Sequence, residues 1–443
     1  MSPSCMLNEQ IGRQGMLKNI VTIAVLSILA NIFLGAFYIY LGRRLGPETY
    51  ADFGSLLSIY LGAMFVSGVV GIVVMRYISF FTAKSQEEKI ARLAKASTFR
   101  MGIVGGGFFI AVAVFAPLIA AFLRIDSPWL ILLLGFLIWV SVVLQNLLSI
   151  VNGLQRFKEL GISRLIVSAV AFVACVIFVE LGAPVSGPFY GLIIGTLVVV
   201  YLTRKKLSFI FDRHIHRIGK AGIRSYILHA VILSVALGVM LNLDVILVKY
   251  YLPAIQAGYY VAASMMAKIA FMVSTGVVTV SFPKVALLHA EGRDTLPLLK
   301  DALKYTLVPS GVIVILFLLL PGFITNVAFG SAYELRGVLQ PLAAAMLLLA
   351  FSNIIAMHHL ATKRFRILYY AAPFALLELL LIQLFHGSLY QVVWAIFFVT
   401  LTQAAAVAYL ARDELRELFG KRTLQRIPLE FYLRLKSNGK IKP

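Results

Sequence analysis

The stretch WLILLLGFLIWVSVVLQNLLSIVNGL, Trp129 to Leu154, runs for 26 residues without a charge and then gives way to Gln155-Arg156-Phe157-Lys158. A helix of about 20 apolar residues is long enough to cross a bilayer. The stretch therefore predicts a membrane crossing that ends at a basic surface. Outward from it, comparable apolar runs fall at 17–42, 50–80 and 97–123 on one side. On the other side they fall at 161–182, 185–203, 226–250, 258–287, 305–324, 337–361, 367–385 and 390–410. With 60% hydrophobic residues, 13% charged residues and a mean hydropathy of +0.92, the 443-residue chain lacks the polar surface of a soluble globule. The fold class predicted is all-α: twelve transmembrane helices in a polytopic membrane protein.

A formal charge of +21 raises the question of nucleic acid, and the placement of the 40 basic residues answers it. With a cytoplasmic N-terminus, 33 of them fall in inner segments. Arg43, Arg44, Arg124 and Arg336 fall outside, and Arg76, Lys249 and Lys268 lie within spans. This asymmetry is the positive-inside bias. It predicts a multi-pass protein of the cytoplasmic (inner) membrane with both termini in the cytoplasm, membrane lipids as partners and no nucleic acid. Residues 1–16 have no cleavable apolar core, so the first span is expected to act as its own anchor. Cys5 and Cys175 fall in the tail and mid-helix, an arrangement that offers no disulfide framework.

Two weak internal matches share nearly one offset. Shifting by 208 lays Gly153-Leu154-Gln155-Arg156-Phe157-Lys158 on Ala361-Thr362-Lys363-Arg364-Phe365-Arg366, and shifting by 207 lays Leu45, Ala51 and Phe53 on Leu252, Gly258 and Tyr260. Six helices per unit is an even number, so the units would share one topology, as in a parallel repeat. The expected organisation is a six-helix bundle at 1–203, a linker at 204–224, a second bundle at 225–411 and a basic tail at 412–443, with a central cavity between the bundles. In the linker, Leu207, Ile210, Phe211, Ile215, Ile218 and Gly222 recur at helical spacing opposite basic residues, which predicts an amphipathic helix on the inner leaflet. Leu415, Leu418 and Phe419 repeat the pattern in the tail. His214 and His216 lack a carboxylate or cysteine cluster, so no metal is expected.

Small residues four apart, Gly187, Gly191 and Gly195 and again Gly102 and Gly106, predict close helix packing. Pro117, Pro309, Pro341 and Pro373 fall inside spans and predict bends. Ionisable residues at membrane depth are costly and usually face protein or a water-filled interior. Lys268 lies ten residues beyond Gly258, about 15 Å along a helix and close to the midplane. It reads either as a cavity cation for an anionic substrate or as the partner of Glu378 or Asp244. Arg76 and Lys249 are further candidate cations that also suit snorkelling near the surfaces. Asp244 and Glu378 are candidates for ion coupling or for pairing with a cation. Asn31 and Asn152 add polar groups that suit either a hydrophilic path or interhelical hydrogen bonds. Glu48 and Asp52 share an outer loop without the nucleophile, base or metal cluster an enzyme needs, and no phosphate-binding loop or cofactor motif is present. The residues alone thus point to a secondary transporter with a partly cationic interior.

Leu41-Gly42-Arg43-Arg44-Leu45-Gly46-Pro47-Glu48-Thr49-Tyr50-Ala51-Asp52-Phe53-Gly54 resembles the first turn of polysaccharide exporters of the multidrug/oligosaccharidyl-lipid/polysaccharide superfamily. Asn152-Gly153-Leu154-Gln155-Arg156-Phe157 resembles the segment after their fourth helix. Asp244-Val245-Ile246-Leu247-Val248-Lys249-Tyr250-Tyr251-Leu252, with Ala257-Gly258-Tyr259-Tyr260 and Ser281-Phe282-Pro283-Lys284, resembles the opening of their second half. The resemblance implies an O-antigen-type (Wzx-like) flippase: two six-helix bundles form a V and alternate access to an oligosaccharide on a polyprenyl pyrophosphate. Cavity cations would hold the pyrophosphate, a potential or ion gradient would drive transport, and a polysaccharide polymerase would be a possible partner. Multidrug and cation antiporters of the same superfamily are the alternative, disfavoured by Arg76 and Lys268. A polytopic glycosyltransferase or ligase is a third reading.

Overall fold

A computed structural model describes residues 3–211, 224–364 and 368–419. They are almost entirely helical, as expected of segments whose backbone polar groups must be satisfied without water. The elements are α1 Pro3–Ala83, α2 Glu87–Val114, α3 Ala116–Leu123, α4 Pro128–Gly153, α5 Phe157–Glu180, α6 Ser186–Lys206 and α7 Ser208–Phe211. They continue with α8 Arg224–Tyr251, α9 Ala254–Ala290, α10 Leu296–Leu319, α11 Pro321–Phe329, α12 Leu339–Ala361, α13 Leu368–Leu384, α14 Leu389–Leu410 and α15 Arg412–Phe419. Among the described residues ten helices are long and apolar enough to cross a membrane, and a shorter apolar helix covers Ala371–Leu384.

The first long element is two helices. Gly46 has φ 72° and ψ 168°, a conformation that side chains disfavour, and Pro47 follows without an N–H to continue the ladder. The Phe37 and Phe53 rings lie 6.0 Å apart although 16 residues separate them. A straight helix would put them about 24 Å apart. The arms 3–45 and 47–83 therefore form a hairpin. Pro117 stands just after the α2–α3 break, and Pro321 opens α11 after a matching break at Leu320. Pro309 and Pro373 are carried inside α10 and α13 without ending them.

The glycine expectations divide. A methyl group on Gly195 would lie 2.7 Å from the Val167 carbonyl oxygen, and Gly191 meets Ala171 and Cys175 just as closely. The α6 stripe thus seats directly on α5. In α2 the close approach is at Gly105, whose added methyl would lie 2.6 Å from the Trp139 ring, whereas Gly102 faces open space and Gly106 has only ordinary contact. The expected pair flanks the true contact.

One large apolar cluster runs from Phe37, Tyr50 and Phe53 through Tyr260, Phe329 and Tyr333. Two smaller clusters lie elsewhere: Ile78, Ile90, Leu160, Leu207 and Ile210 in one, Leu299, Leu303, Ile354 and Leu418 in the other. Leu207 and Ile210 seat the start of the linker against α2, and Leu418 seats α15 against α10. The remainder of the expected amphipathic linker, Ile215, Ile218 and Gly222 included, and the tail beyond 419 lie outside the described residues. Val114, Phe115, Leu118, Leu316, Leu319 and Phe323 are each more than 40% exposed, an apolar belt suited to lipid.

Polar contacts repeat with the offsets seen in the sequence. Ser67 donates to Gln145 between α1 and α4, and Asn353 donates to Ser274 at 3.1 Å between α12 and α9. Ser274 follows Ser67 by 207 positions, and Asn353 follows Gln145 by 208.

Candidate transport seam and buried ionic cluster

The second arm of α1 and helix α9 meet at the ends that carry Pro47 and Gly258. Gly258 lies against the Pro47 backbone, and Gly54 lies against Val261; neither site has room for a methyl group. The Tyr50 hydroxyl donates to Met265 Sδ at 3.5 Å, and the Tyr50 ring lies 5.7 Å from Phe329 and 6.1 Å from Tyr333. Arg43 donates to the Val327 and Ala328 carbonyls at the end of α11. Lys249 Nζ reaches Asp52 Oδ1 at 2.5 Å, joining the end of α8 to the start of the second arm. Lys249 is 5% exposed and is held by Asp52.

The seam loosens in the other direction. Phe53 to Ser58 are buried, as are Tyr260 to Ser264 and Met266 to Lys268. Past Tyr60 the arm buries Val69, Gly71, Val74 and Ile78 but leaves Val66, Arg76 and Phe80 open, and past Phe271 helix α9 buries Ser274 and exposes Met272, Thr275, Thr279 and Val280. Arg76 follows Gly54 by 22 residues. That is about six helical turns, which returns it to the seam face about 33 Å further on. Asn152 donates to Met75 Sδ at 3.0 Å, so α4 braces the turn that carries Arg76. Asn31 is exposed on the first arm.

Helices α8, α9 and α13 enclose the second feature. Asp244 and Glu378 are each 1% exposed and Lys268 is 9% exposed. Tyr260 donates to Asp244 Oδ2 at 2.5 Å, and Lys268 lies within electrostatic reach of both carboxylates. Among the described residues Asp244 Oδ1 and Glu378 Oε2 have no hydrogen-bond partner. The structure therefore places Lys268 with the acidic residues, one of the two arrangements its sequence position allows. The cluster thus sets two acidic side chains against one basic one in a buried site.

A third cluster joins residues far apart in the chain. His358 and His359 at the end of α12 meet Glu414 of α15, with one ligand atom from each lying within 4.8 Å of the others. His359 Nε2 lies 2.8 Å from Glu414 Oε2, and Arg364 donates to Oε1. Burial raises the Glu414 carboxyl, but the His359 hydrogen bond and the charges of His359, His358 and Arg364 outweigh it and hold the group below its usual range. Position 414 is 55 residues from His359, so no local spacing announces the cluster. The pair His214 and His216 lies outside the described residues.

Long apolar helices in number, a folded-back first hairpin and a seam beside buried acidic groups define a multi-pass membrane protein. A family profile described as "Polysaccharide biosynthesis protein" matches residues 16–289, and the chain belongs to that family. No curated protein sequence matches it. Among solved structures it is similar to an inward-facing multidrug resistance MATE family transporter of the MOP superfamily, with TM-score 0.72 and 14% identity over 91% of this chain and 100% of the other. It is also similar to the lipid II flippase MurJ in an inward closed conformation, with TM-score 0.67 and 14% identity over 94% and 96% of the two chains. A MOP superfamily transporter from Pyrococcus furiosus, described by the reverse polarity of its binding pocket, gives TM-score 0.63 and 15% identity over 90% and 94%. At these identities the likeness is one of fold.

Proposed function

We propose that this protein is a flippase of the cytoplasmic membrane that moves polyprenyl-pyrophosphate-linked oligosaccharides by alternating access for polysaccharide export. The observation that carries this reading is the seam, packed at its outer end by Gly258, Pro47, Lys249 and Asp52, and open beyond Tyr60 and Phe271 on the side that exposes Arg76. The family membership supports a sugar-linked substrate. In this reading twelve crossings form two bundles, 1–203 and 225–411, joined by 204–224, with both termini cytoplasmic and the tail at 412–443.

Arg76 binds the pyrophosphate as it enters from the cytoplasm, where a guanidinium matches phosphate geometry. Asn31 and Asn152 contribute polar contacts to the sugar path. Asp244 and Glu378 take up the driving ion while Lys268 balances one of them. Lys249 closes the outer end and releases it when the seam reverses. Membrane lipids and a polysaccharide polymerase are the partners proposed. A cation antiporter remains the second reading, supported by the acidic excess of the buried cluster, and the third reading is an enzyme.

The test is a proteoliposome assay of whether a fluorescent polyprenyl-pyrophosphate oligosaccharide reaches the opposite leaflet, with and without an imposed potential or ion gradient. Transport above that of empty liposomes supports the flippase. Failure of folded protein with several sugar heads moves the assignment to a drug or ion antiporter.

A further inference from the structure

We propose that His358, His359 and Glu414 form a binding site for a divalent transition metal of the zinc type, which pins α15 to the end of α12. Two imidazoles and one carboxylate are a donor set suited to zinc, with room for water as a fourth ligand. One ligand atom from each side chain already lies within 4.8 Å of the others. Bonds of about 2.0–2.2 Å in a tetrahedron require ligand separations of about 3.3 Å, which side-chain rotations can reach.

The hydrogen bonds around the cluster are those a metal site needs. His358 is 6% exposed, its Nε2 lies 3.1 Å from Thr295 Oγ1, and its Nδ1 is buried with no hydrogen-bond partner among the described residues. In the tautomer whose Nε2–H donates to Thr295 Oγ1, the Nδ1 lone pair is free to ligate. Glu414 presents Oε2 to His359 while Arg364 holds Oε1, so the carboxylate is oriented from behind by a second partner. A plain ion pair between His359 and Glu414 accounts for those two side chains but leaves the buried His358 Nδ1 without a role. A bound metal accounts for all three. It also reinforces the links among Thr295 before α10, the end of α12 and α15, which pack through Leu299, Leu303 and Leu418.

The experiment is titration of full-length, chelator-treated protein in nanodiscs with Co²⁺, read by its visible ligand-field absorption, followed by displacement with Zn²⁺. One Co²⁺ per chain with the absorption of a four- or five-coordinate site is expected. H358Q and E414Q should each weaken binding at least about 100-fold, and Thr295→Val, which removes only the outer partner, about 10-fold. H214Q/H216Q should bind as the parent does. Trypsin cleavage of the tail should slow when Zn²⁺ is added to the parent and not when it is added to E414Q. Absence of stoichiometric binding by the parent overturns the proposal and leaves an ion-pair latch. Binding unchanged in H358Q and E414Q, or lost in H214Q/H216Q, overturns it equally.

Discussion

Phe37 and Phe53 in the first hairpin, and Asp244 and Tyr260 in α8 and α9, stand 207 positions apart pair for pair. Each pair is buried, and each joins two successive helices: ring against ring at 6.0 Å in one case, hydroxyl to carboxylate at 2.5 Å in the other. The same offset lays Lys268 on Leu61 and Glu378 on Ala171. One region therefore fills these positions with apolar groups and the other with two acids, a base and a phenol. If the two halves are repeats, the apolar version is a precedent for filling these positions without charges. Burying them costs free energy that well-packed hydrophobic residues avoid, which supports the role in coupling proposed for the cluster.

The strongest way to break the comparison is Lys268→Ala. It leaves the buried Asp244 and Glu378 without a basic neighbour, and the expected outcome is abolished transport from protein that still reaches the membrane. Lys268→Arg should retain part of the transport. Full transport by the alanine variant at normal expression would remove Lys268 from the mechanism.

Phe37→Ala is the counterpart on the apolar side. It should cost about 3–5 kcal/mol through the cavity it leaves, while transport per folded molecule keeps the same dependence on the imposed gradient. An altered gradient dependence would show that the apolar pair shares in coupling.

The neutral triple D244N/K268M/E378Q brings the charged region closer to its apolar counterpart. We expect unfolding stability equal to the parent or up to about 1–4 kcal/mol higher, with gradient-driven transport lost. Preserved coupling would refute a role for these carboxylates. A smaller effect is expected from Lys249→Met, which releases Asp52 where the two regions meet. Cysteines placed near Tyr50 should then become about 10-fold more reactive from outside, a change of about 1.4 kcal/mol in the closed-to-open balance; unchanged reactivity would mean that the ion pair does not hold the outer end.

The α6 glycines were legible because a four-residue spacing on an apolar helix already specifies one face, and Gly191 and Gly195 lie on that face against α5. Gly105 was missed beside Gly102 and Gly106 because spacing alone does not say which face of α2 turns to Trp139. Lys268 was recognised by depth, yet its partners were open: helical rise gives height in the membrane and says nothing of the neighbour across the groove. Lys249 and Asp52, and likewise His358 and Glu414, are far apart in the chain, so only packing brings them together.

The sequence by itself determined that the chain is helical and lives in a membrane, and its basic residues set the expected sidedness. Length, hydropathy and charge placement are local or additive quantities, summed along the chain without knowing the fold. Only the tertiary structure decided which end of the seam is packed, which carboxylates share Lys268 and which histidines meet Glu414. Those outcomes depend on the rotation and register of helices about one another. An apolar helix in an apolar solvent fixes these through close packing and a few polar contacts instead of through a hydrophobic pattern written along its length.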